Sequence, residues 1–295
     1  MPPSAKRRPV AAAAPKATVF NTSQLSRFDR ERRRRLGVEL LGGVDEAGRG
    51  ALAGPVVSAC VVLEPGTRLG GVNDSKVLTP EDRERLVPQI MERAAAWSVG
   101  WASAAEIDRI NILEATLLAA DRALRALGDR TPQHMITDFL KLRWAPCPVE
   151  PIVDGDARSL AVAAASILAK VARDRIMTAL CAEYPCYGFS RHKGYGTRAH
   201  WRALDSHGPS TLHRLTYNGV CFFNASPDVR SRRRRCLESI PSEPQPPDWL
   251  EVLTSPPDQL DPLPFLPEAE WELSVSHASE TSLVPRMKIR VSEGT

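Results

Sequence analysis

The chain lacks the features of several protein classes. No stretch of its 295 residues approaches the roughly 20 apolar residues that a membrane-spanning helix needs. Its first twenty residues are basic without a long apolar run, which argues against a secretory signal. None of the six cysteines forms a C-x-x-C pair, so a zinc site or a thioredoxin-type motif has little support. We therefore expect a cytoplasmic protein with reduced thiols and no membrane partner.

Charge and proline are distributed unevenly along the chain. Residues 1–35 hold ten Lys and Arg against two acidic residues, a balance of +8. Residues 237–295 hold eleven Asp and Glu against three basic residues, a balance of −8, together with ten of the 25 prolines. We expect a basic, disordered arm over 1–35, one folded domain over 36–224, and a disordered, proline-rich, acidic tail over 225–295.

Apolar patterns in the central segment predict an α/β domain with a mixed sheet. Five β-branched or apolar runs predict strands, at 38–46, 55–63, 96–103, 134–138 and 151–153. The first three follow one another and are typical of a meander. Helix N-caps are predicted at Thr79 and Ser103. Residues 159–181 are apolar nearly all round, which predicts a buried helix whose exposed end carries Lys170, Arg173, Asp174 and Arg175.

Four carboxylates lie where predicted strands or loops end. Asp45 and Glu46 close the first strand before a glycine-rich turn, Asp138 closes a short buried strand, and Asp156 precedes the buried helix. Each alone also fits a solvated turn or a capping residue. Together they would repel one another unless divalent cations neutralised them, and oxygen-rich sites favour Mg²⁺ or Mn²⁺. Two such ions suit phosphodiester cleavage.

Three further segments are candidates for binding phosphate or nucleotide. Arg49 lies between Gly48 and Gly50, whose missing side chains let the backbone approach a ligand closely. Residues 187–197, YGFSRHKGYGT, combine aromatic and basic side chains, as do surfaces that bind nucleic acid. Residues 73–76, NDSK, form a polar turn before a capped helix. The last two segments also fit ordinary surface loops.

Taken together, these segments resemble the bacterial ribonuclease HII family, the type 2 ribonucleases H. The resemblance covers about residues 40–220, and its motifs follow in the family's order: GVDEAGRGALAGPVVSACVVL at 43–63, NDSK at 73–76, EIDRINILEAT at 106–116, ITDFLKL at 136–142, GDARSLAVAAASILAKVARDRIM at 155–177, YGFSRHKGYGT at 187–197 and HGPSTLHRLTY at 207–217. It implies an RNase H-like fold, in which a five-stranded mixed sheet is flanked by helices, for the catalytic domain 36–224.

The resemblance also implies an activity. The expected reaction is metal-dependent cleavage of the RNA strand of RNA–DNA hybrids, and incision on the 5′ side of single ribonucleotides embedded in duplex DNA, which is a step of DNA repair. The expected cofactor is Mn²⁺ or Mg²⁺, and the expected partners are those nucleic acids. We expect a monomer, with an unidentified partner for the acidic tail.

The resemblance assigns roles to individual residues. Four acids are the expected catalytic, metal-binding residues: Asp45, Glu46, Asp138 and Asp156. Eight residues are expected to contact the substrate: Gly48, Arg49, Gly50, Asn73, Ser75, Lys76, Lys193 and Tyr195. Among these, the turn at 48–50 would grip the backbone and sense the 2′-hydroxyl, and Tyr195 would stack on a sugar. His213 and Arg214 are weaker candidates.

Two departures and two alternatives qualify this reading. Asp154 stands where the family commonly has Lys, and Ala51 replaces a frequent Pro. Arg49 separates the chain from the sister ribonuclease HIII pattern, which has a small residue there. A non-catalytic nucleic-acid-binding protein with this fold is one alternative, but four retained acids argue against it. Another polynucleotidyl transferase is the second, and the GRG and HKGY segments argue against that.

Overall fold

A computed structural model of the chain describes residues 21–220 and 249–254. Residues 1–20, 221–248 and 255–295 lie outside the described residues, so the disorder predicted for most of the tail 225–295 stays a prediction.

The described chain is built on one sheet. Its five strands are β1 (Leu41–Ala47), β2 (Val56–Leu63), β3 (Ala96–Ala102), β4 (His134–Asp138) and β5 (Val149–Ile152). They lie in the order β3-β2-β1-β4-β5. β1 pairs antiparallel with β2 and β2 with β3, whereas β4 pairs parallel with both β1 and β5. The predicted meander and the five-stranded mixed sheet are therefore confirmed.

Helices flank this sheet. They are α1 (Thr22–Leu36), α2 (Pro80–Arg93), α3 (Ala104–Ile110), α4 (Ile112–Ala126), α5 (Gly155–Arg158), α6 (Leu160–Glu183), a 3₁₀ turn at Pro185–Tyr187, α7 (Phe189–His192), α8 (Arg198–His207) and α9 (Trp249–Thr254). The predicted N-caps are confirmed, because Thr79 and Ser103 accept hydrogen bonds from the first turns of α2 and α3. Thr79 and Ser103 thereby satisfy amides that a helix start leaves without partners.

The two faces of the sheet have different cores. Along β2, Val57, Ala59 and Val61 pack with α6, whereas Cys60 and Val62 pack with α4, as the alternation of side chains along a strand requires. The predicted buried helix is α6, which is covered along most of its length. It approaches β1 so closely that a Cβ on Gly43 would lie 2.1 Å from the Ala161 carbonyl carbon.

The disorder predicted for 1–35 is wrong for residues 22–35. They form α1, which begins at a capping box between Asn21 and Gln24 and ends at Gly37 in the left-handed conformation. Leu25 and Asp29 are buried, and Asp29 Oδ2 accepts a hydrogen bond from the amide of Ala161 at 3.0 Å. Because α1 packs on the first turn of α6, the folded domain begins before residue 36.

The predicted tail 225–295 contains one described element, the short helix α9. Val252 and Leu253 are buried in the same core as α6, and Arg175 Nη1 donates to the Val252 carbonyl at 3.0 Å. Arg175 also pairs with Glu84 of α2. The disorder predicted for this tail is therefore wrong for residues 249–254. A six-residue helix fits between Pro247 and Pro256, which exclude only longer elements.

Candidate active site

Three carboxylates come together at the carboxyl ends of the two central parallel strands. Asp45 lies near the end of β1, Asp138 is the last residue of β4, and Asp156 lies in α5. One carboxylate oxygen of each lies within 4.8 Å of those of the other two. Asp45 and Asp156 are buried, with 6% and 1% of their surfaces exposed. We call these three residues the acidic centre.

A glycine lets α5 close over the end of β4. A Cβ on Gly155 would lie 3.1 Å from both the Asp138 Cα and the Thr137 carbonyl oxygen, so a larger residue would crowd the strand. The Gly155 amide donates to Asp138 Oδ1 at 2.8 Å. This contact orients Asp138 and brings Asp156, the next residue of α5, to the same place.

Serine hydroxyls lie behind Asp45. The hydroxyl of Ser166 in α6 partly opposes the rise in the pKa of Asp45, and its Oγ lies 2.8 Å from Ser75 Oγ. Ser75 is buried, so the structure gives no support to the direct substrate contact expected of it. Asn73 Oδ1 accepts a hydrogen bond from the Asp74 amide and holds the local turn.

The acidic centre has little positive charge nearby. Burial, followed by the charge of Glu46, raises the pKa of Asp45 well above its usual value. Burial and then the charge of Asp156 raise the pKa of Asp138. Lys76 Nζ donates to Asp156 Oδ2 at 2.7 Å. Burial acts to lower the pKa of Lys76, but the hydrogen bond and the charge of Asp156 outweigh it and raise the pKa.

Glu46 is only partly associated with the acidic centre. As the next residue along β1, it starts on the opposite face from Asp45, and it lies outside the group of three that meet within 4.8 Å. Its Oε1 accepts from Arg49 Nη1 at 3.0 Å, while its Oε2 is buried without a hydrogen-bond partner. Burial raises its pKa although Arg49 opposes the shift.

The donor set fits a divalent cation. Several carboxylate oxygens converge, burial and then neighbouring acids raise the pKa values of Asp45 and Asp138, and Glu46 adds a buried oxygen with no hydrogen-bond partner. Hard cations such as Mg²⁺ bind carboxylate oxygens and usually bind substrate phosphates at the same time. Asp45, Asp138 and Asp156 are the residues that would hold such an ion, with Glu46 beside them.

The GRG turn, Gly48 to Gly50, follows β1 directly. Gly48 has a φ of +96°, and a Cβ there would lie 2.0 Å from Arg173 Nε, so only glycine fits. Gly50 is exposed with open space around it, and the Arg49 side chain is 48% exposed. The turn therefore offers backbone and a guanidinium to a ligand bound at the acidic centre.

Two buried arginines support this turn, and we call them the arginine floor. Arg173 donates to the carbonyls of Pro55, Lys193 and Ala53 at 2.9–3.0 Å. Arg214 donates to the carbonyls of Arg49, Gly54 and Pro55 and to the Tyr217 hydroxyl. Burial lowers the pKa of both, that of Arg214 to about 10, which leaves it charged at neutral pH.

The positions of Arg173 and Arg214 differ from what the sequence predicts for them. Arg173 does not mark an exposed helix end, because none of its surface is exposed. Arg214 holds the GRG turn from below rather than contacting a ligand. Three of the carbonyls that accept from these arginines, those of Ala53, Gly54 and Pro55, lie more than a hundred residues away in the sequence. No local sequence signal therefore reveals these contacts. Asp174 pairs with Lys170 at 2.7 Å, as expected of an ion-pairing residue.

Tyr195 lies above the floor. Its ring centroid is 5.2 Å from Arg173 Cζ and 5.4 Å from Lys170 Nζ, and the side chain remains partly exposed. Lys193 has a left-handed backbone with a φ of +51°, and its Nζ donates to Thr178 Oγ1 and the Ser190 carbonyl. Tyr195 is therefore accessible to a ligand, whereas the Lys193 ammonium is hydrogen-bonded within the protein.

Three histidines pack beneath the Tyr195 loop. His192, His200 and His213 are buried, and His200 Nε2 lies 3.0 Å from His213 Nε2. Burial is the main cause that lowers their pKa values, to about 4 for His200 and about 3 for His213. They are neutral at pH 7, and their contacts with Tyr187 and Phe189 make them part of the core.

Within the part of the chain that the structure describes, no helix has the length and apolar character needed to cross a membrane.

A family model described as Ribonuclease HII matches residues 42–220. The chain belongs to the ribonuclease HII family. Ribonuclease HII of Syntrophotalea carbinolica is 49% identical over 190 residues, which are 64% of this chain and 90% of that protein. Ribonuclease HII 1 of Methylibium petroleiphilum is 51% identical over 185 residues, 63% of this chain and 93% of that protein.

Solved structures agree with this assignment. Ribonuclease H2 from Pyrococcus horikoshii is 28% identical, with a TM-score of 0.51, and the match covers 66% of this chain and 99% of that one. Ribonuclease HII from Archaeoglobus fulgidus, solved in a complex with PCNA, is 26% identical with a TM-score of 0.50, and the match covers 61% and 95%. The expected RNase H-like fold is confirmed.

Membership of the family decides between the sequence-based alternatives. The ribonuclease HII family cleaves the RNA strand of RNA–DNA hybrids, so this protein is a ribonuclease H, a hydrolytic nuclease. The match covers the acidic centre, the GRG turn and Tyr195. It speaks against a non-catalytic binding protein and against an unrelated polynucleotidyl transferase.

Proposed function

We propose that this ribonuclease H also incises duplex DNA on the 5′ side of single embedded ribonucleotides, leaving a 3′-hydroxyl and a 5′-phosphate. The observation that carries the proposal is the contact of Arg49 in the GRG turn with Glu46, the neighbour of Asp45, at 3.0 Å. The turn that would recognise the ribonucleotide thus lies next to the acids that would bind the catalytic cations. A lone ribonucleotide differs from its DNA neighbours only by its 2′-hydroxyl, so a polar contact with that hydroxyl is required.

In this proposal the acids bind the divalent cations that the reaction requires. Asp45, Asp138 and Asp156, with the help of Glu46, would hold two Mg²⁺ or Mn²⁺ ions. Divalent cations held there supply Lewis-acid stabilisation of the charge that develops on the phosphate. Lys76, whose side chain is 72% exposed, adds positive charge beside Asp156 where a phosphate would bind.

Recognition is assigned to the GRG turn and Tyr195. Gly48 and Gly50 bring backbone amides close to the substrate, Arg49 pairs with phosphate, and Tyr195 stacks on the sugar beside the ribonucleotide. Asn73, Ser75 and Lys193, which are expected as contacts from the sequence, are not included. Their side chains bond within the protein and, unlike Arg49 and Lys76, these residues are not exposed. A monomeric state, a cytoplasmic location and a partner for the tail stay predictions.

The test uses three labelled duplexes with Mg²⁺ or Mn²⁺: an RNA–DNA hybrid, a DNA duplex with one ribonucleotide, and the same duplex of DNA alone. We expect cleavage of the first two, with a single product from the second that ends one nucleotide before the ribonucleotide. Excess chelator should abolish both reactions. Equal cleavage of the all-DNA duplex, or full activity in chelator, would contradict the proposal.

A further inference from the structure

Phe139 combines an unfavourable backbone conformation with an unusual exposure. Its φ is +55°, in the left-handed region that non-glycine residues rarely adopt, and a bulky side chain there is an outlier. It is also 67% exposed, more than any other large apolar side chain in the described residues. Strained residues persist only where the surrounding structure holds them, and they cluster at functional sites.

The neighbouring backbone holds this conformation. The Phe139 amide donates to the Ile152 carbonyl at 2.9 Å and to the Thr137 carbonyl at 3.0 Å. Thr137 Oγ1 donates to the Leu140 carbonyl at 2.6 Å, and Leu140 is buried. The chain therefore turns sharply after Asp138 and directs the aromatic ring outward.

A second exposed apolar residue lies beside Phe139. Asp138 of β4 pairs with Ile152 of β5, so Phe139 and Val153 follow paired residues at the same edge of the sheet. Val153 is 58% exposed. We call Phe139 and Val153 the apolar ledge. Together they form a small apolar surface at the ends of two neighbouring strands, which a bound ligand could cover.

The ledge lies on one side of the acidic centre and Tyr195 on the other. In the strand order β2-β1-β4-β5, the acids come from β1 and β4 and from α5. The loop that leads into β2 is held by Arg173 beneath Tyr195, whereas the ledge follows β4 and β5. Phe139 adjoins Asp138 directly, about 3.8 Å away between Cα atoms.

We propose that Phe139, supported by Val153, is a substrate-binding residue that packs its ring on the sugar of a nucleotide next to the scissile phosphate, on the side opposite Tyr195. This inference rests on the assignment of the acidic centre as the place of cleavage. Bases in an intact duplex are paired and stacked, so a ring at the level of the backbone meets the carbon-rich face of a sugar. Aromatic side chains beside a basic groove commonly contact nucleotides in other nucleic-acid-binding proteins.

The test compares Phe139→Gly with Phe139→Leu and Phe139→Tyr in the full chain. Gly removes the ring and relieves the left-handed strain, so the melting temperature should stay equal or rise. KM for the hybrid should nevertheless increase, by about fivefold or more for Gly, with kcat changed by less than about twofold, because a ring that binds ground state and transition state alike acts on KM. The KM of Phe139→Leu should lie between those of Phe139→Gly and the wild type, and Phe139→Tyr should keep the wild-type KM.

Trp144→Ala is the matched control, because Trp144 is also an exposed aromatic residue but its ring lies over Arg125 of α4. Its KM should not change. A Phe139→Gly protein with raised stability and an unchanged KM would overturn the inference. A loss of self-association in that variant at constant KM would also overturn it, because the ring would then contact a second copy of the chain. If the wild-type chain cleaves the hybrid but does not incise the duplex at its single ribonucleotide, the proposed function fails separately. The dissociation constant of the hybrid, measured by fluorescence anisotropy with the same variants, then still tests the contact.

Discussion

The acidic centre and the arginine floor place buried charges of opposite sign at one edge of the sheet, but they satisfy those charges differently. Every hydrogen bond that Arg173 donates ends on a backbone carbonyl, and those of Arg214 end on carbonyls and one hydroxyl. Asp45 and Asp138 instead have pKa values raised by burial and by their acidic neighbours.

This difference separates a scaffold from a binding site. Burying a charge is costly unless hydrogen bonds stabilise it, and the arginine floor receives this stabilisation from carbonyls and a hydroxyl of the fold. Each acid of the acidic centre also accepts a hydrogen bond within the fold, but Lys76 at Asp156 is the one cation among those donors, against three carboxylates that lie close together. We infer that the floor is complete as it stands, whereas the acidic centre requires cations from solution. The following predictions test that contrast.

The largest effect is expected from removing charge in the acidic centre. Asp45→Asn and Asp138→Asn keep the size of the side chain but weaken cation binding, so kcat should fall by about a hundredfold or more, about 2.7 kcal/mol of barrier. Folding should survive, because the loss of a repelling charge does not destabilise the cation-free protein. Asp121→Asn, on an exposed ion pair with Arg125, is the control and should retain full activity. If a variant keeps more than about a tenth of the wild-type kcat, the substituted residue is not catalytic.

The opposite outcome is expected for the arginine floor. Arg173→Met leaves the carbonyls of Pro55, Ala53 and Lys193 without donors, so the free energy of unfolding should fall by about 3–5 kcal/mol. Urea unfolding measures this change. Arg191→Met, at an exposed arginine of α7, should change it by less than about 0.5 kcal/mol. A floor variant with wild-type stability and reduced activity would place Arg173 in the chemistry instead.

A smaller effect is expected at Asp29, a buried carboxylate outside both groups. Burial raises its pKa from 3.8 to about 6. The folded state therefore holds the proton more tightly than the unfolded state, and stability falls as pH rises from about 4 to about 6. The loss amounts to about 3 kcal/mol, at 1.36 kcal/mol per pKa unit. Asp29→Asn keeps an oxygen that can accept from the Ala161 amide.

The Asn variant should therefore be more stable than wild type at pH 7, and the difference should disappear near pH 4. Urea unfolding across this range, with Asp121→Asn at a partly exposed position as reference, measures the slope. Parallel curves for wild type and Asp29→Asn would show that Asp29 has an ordinary pKa.

Much of the fold was accessible from the sequence because its signals are local. The strand that carries Asp45, the caps at Thr79 and Ser103, and the apolar helix α6 all follow from patterns within about twenty residues. Helix α1 was missed because its arginines hide a single buried leucine, Leu25. The capping box at Asn21 and Gln24, with Gly37 at the other end, was the available signal.

The candidate site divides in the same way. The four acids could be selected from strand ends and turns, but the sequence does not show that Asp45, Asp138 and Asp156 meet while Glu46 stands aside. Pairing across the sheet and the close approach of Gly155 decide that. Ser75 has no local mark of burial either, because its partner Ser166 is 91 residues away.

The most direct test of the central contrast is the change in melting temperature on adding Mg²⁺ or Mn²⁺ to the full chain. A cation that binds only the folded state stabilises it by about 2.7 kcal/mol at a hundred times its dissociation constant. We predict a clear rise for the wild-type protein and for Asp121→Asn, and a much smaller rise for Asp45→Asn and Asp138→Asn. Equal rises in all four proteins would contradict the account, because the cation would then bind outside the acidic centre.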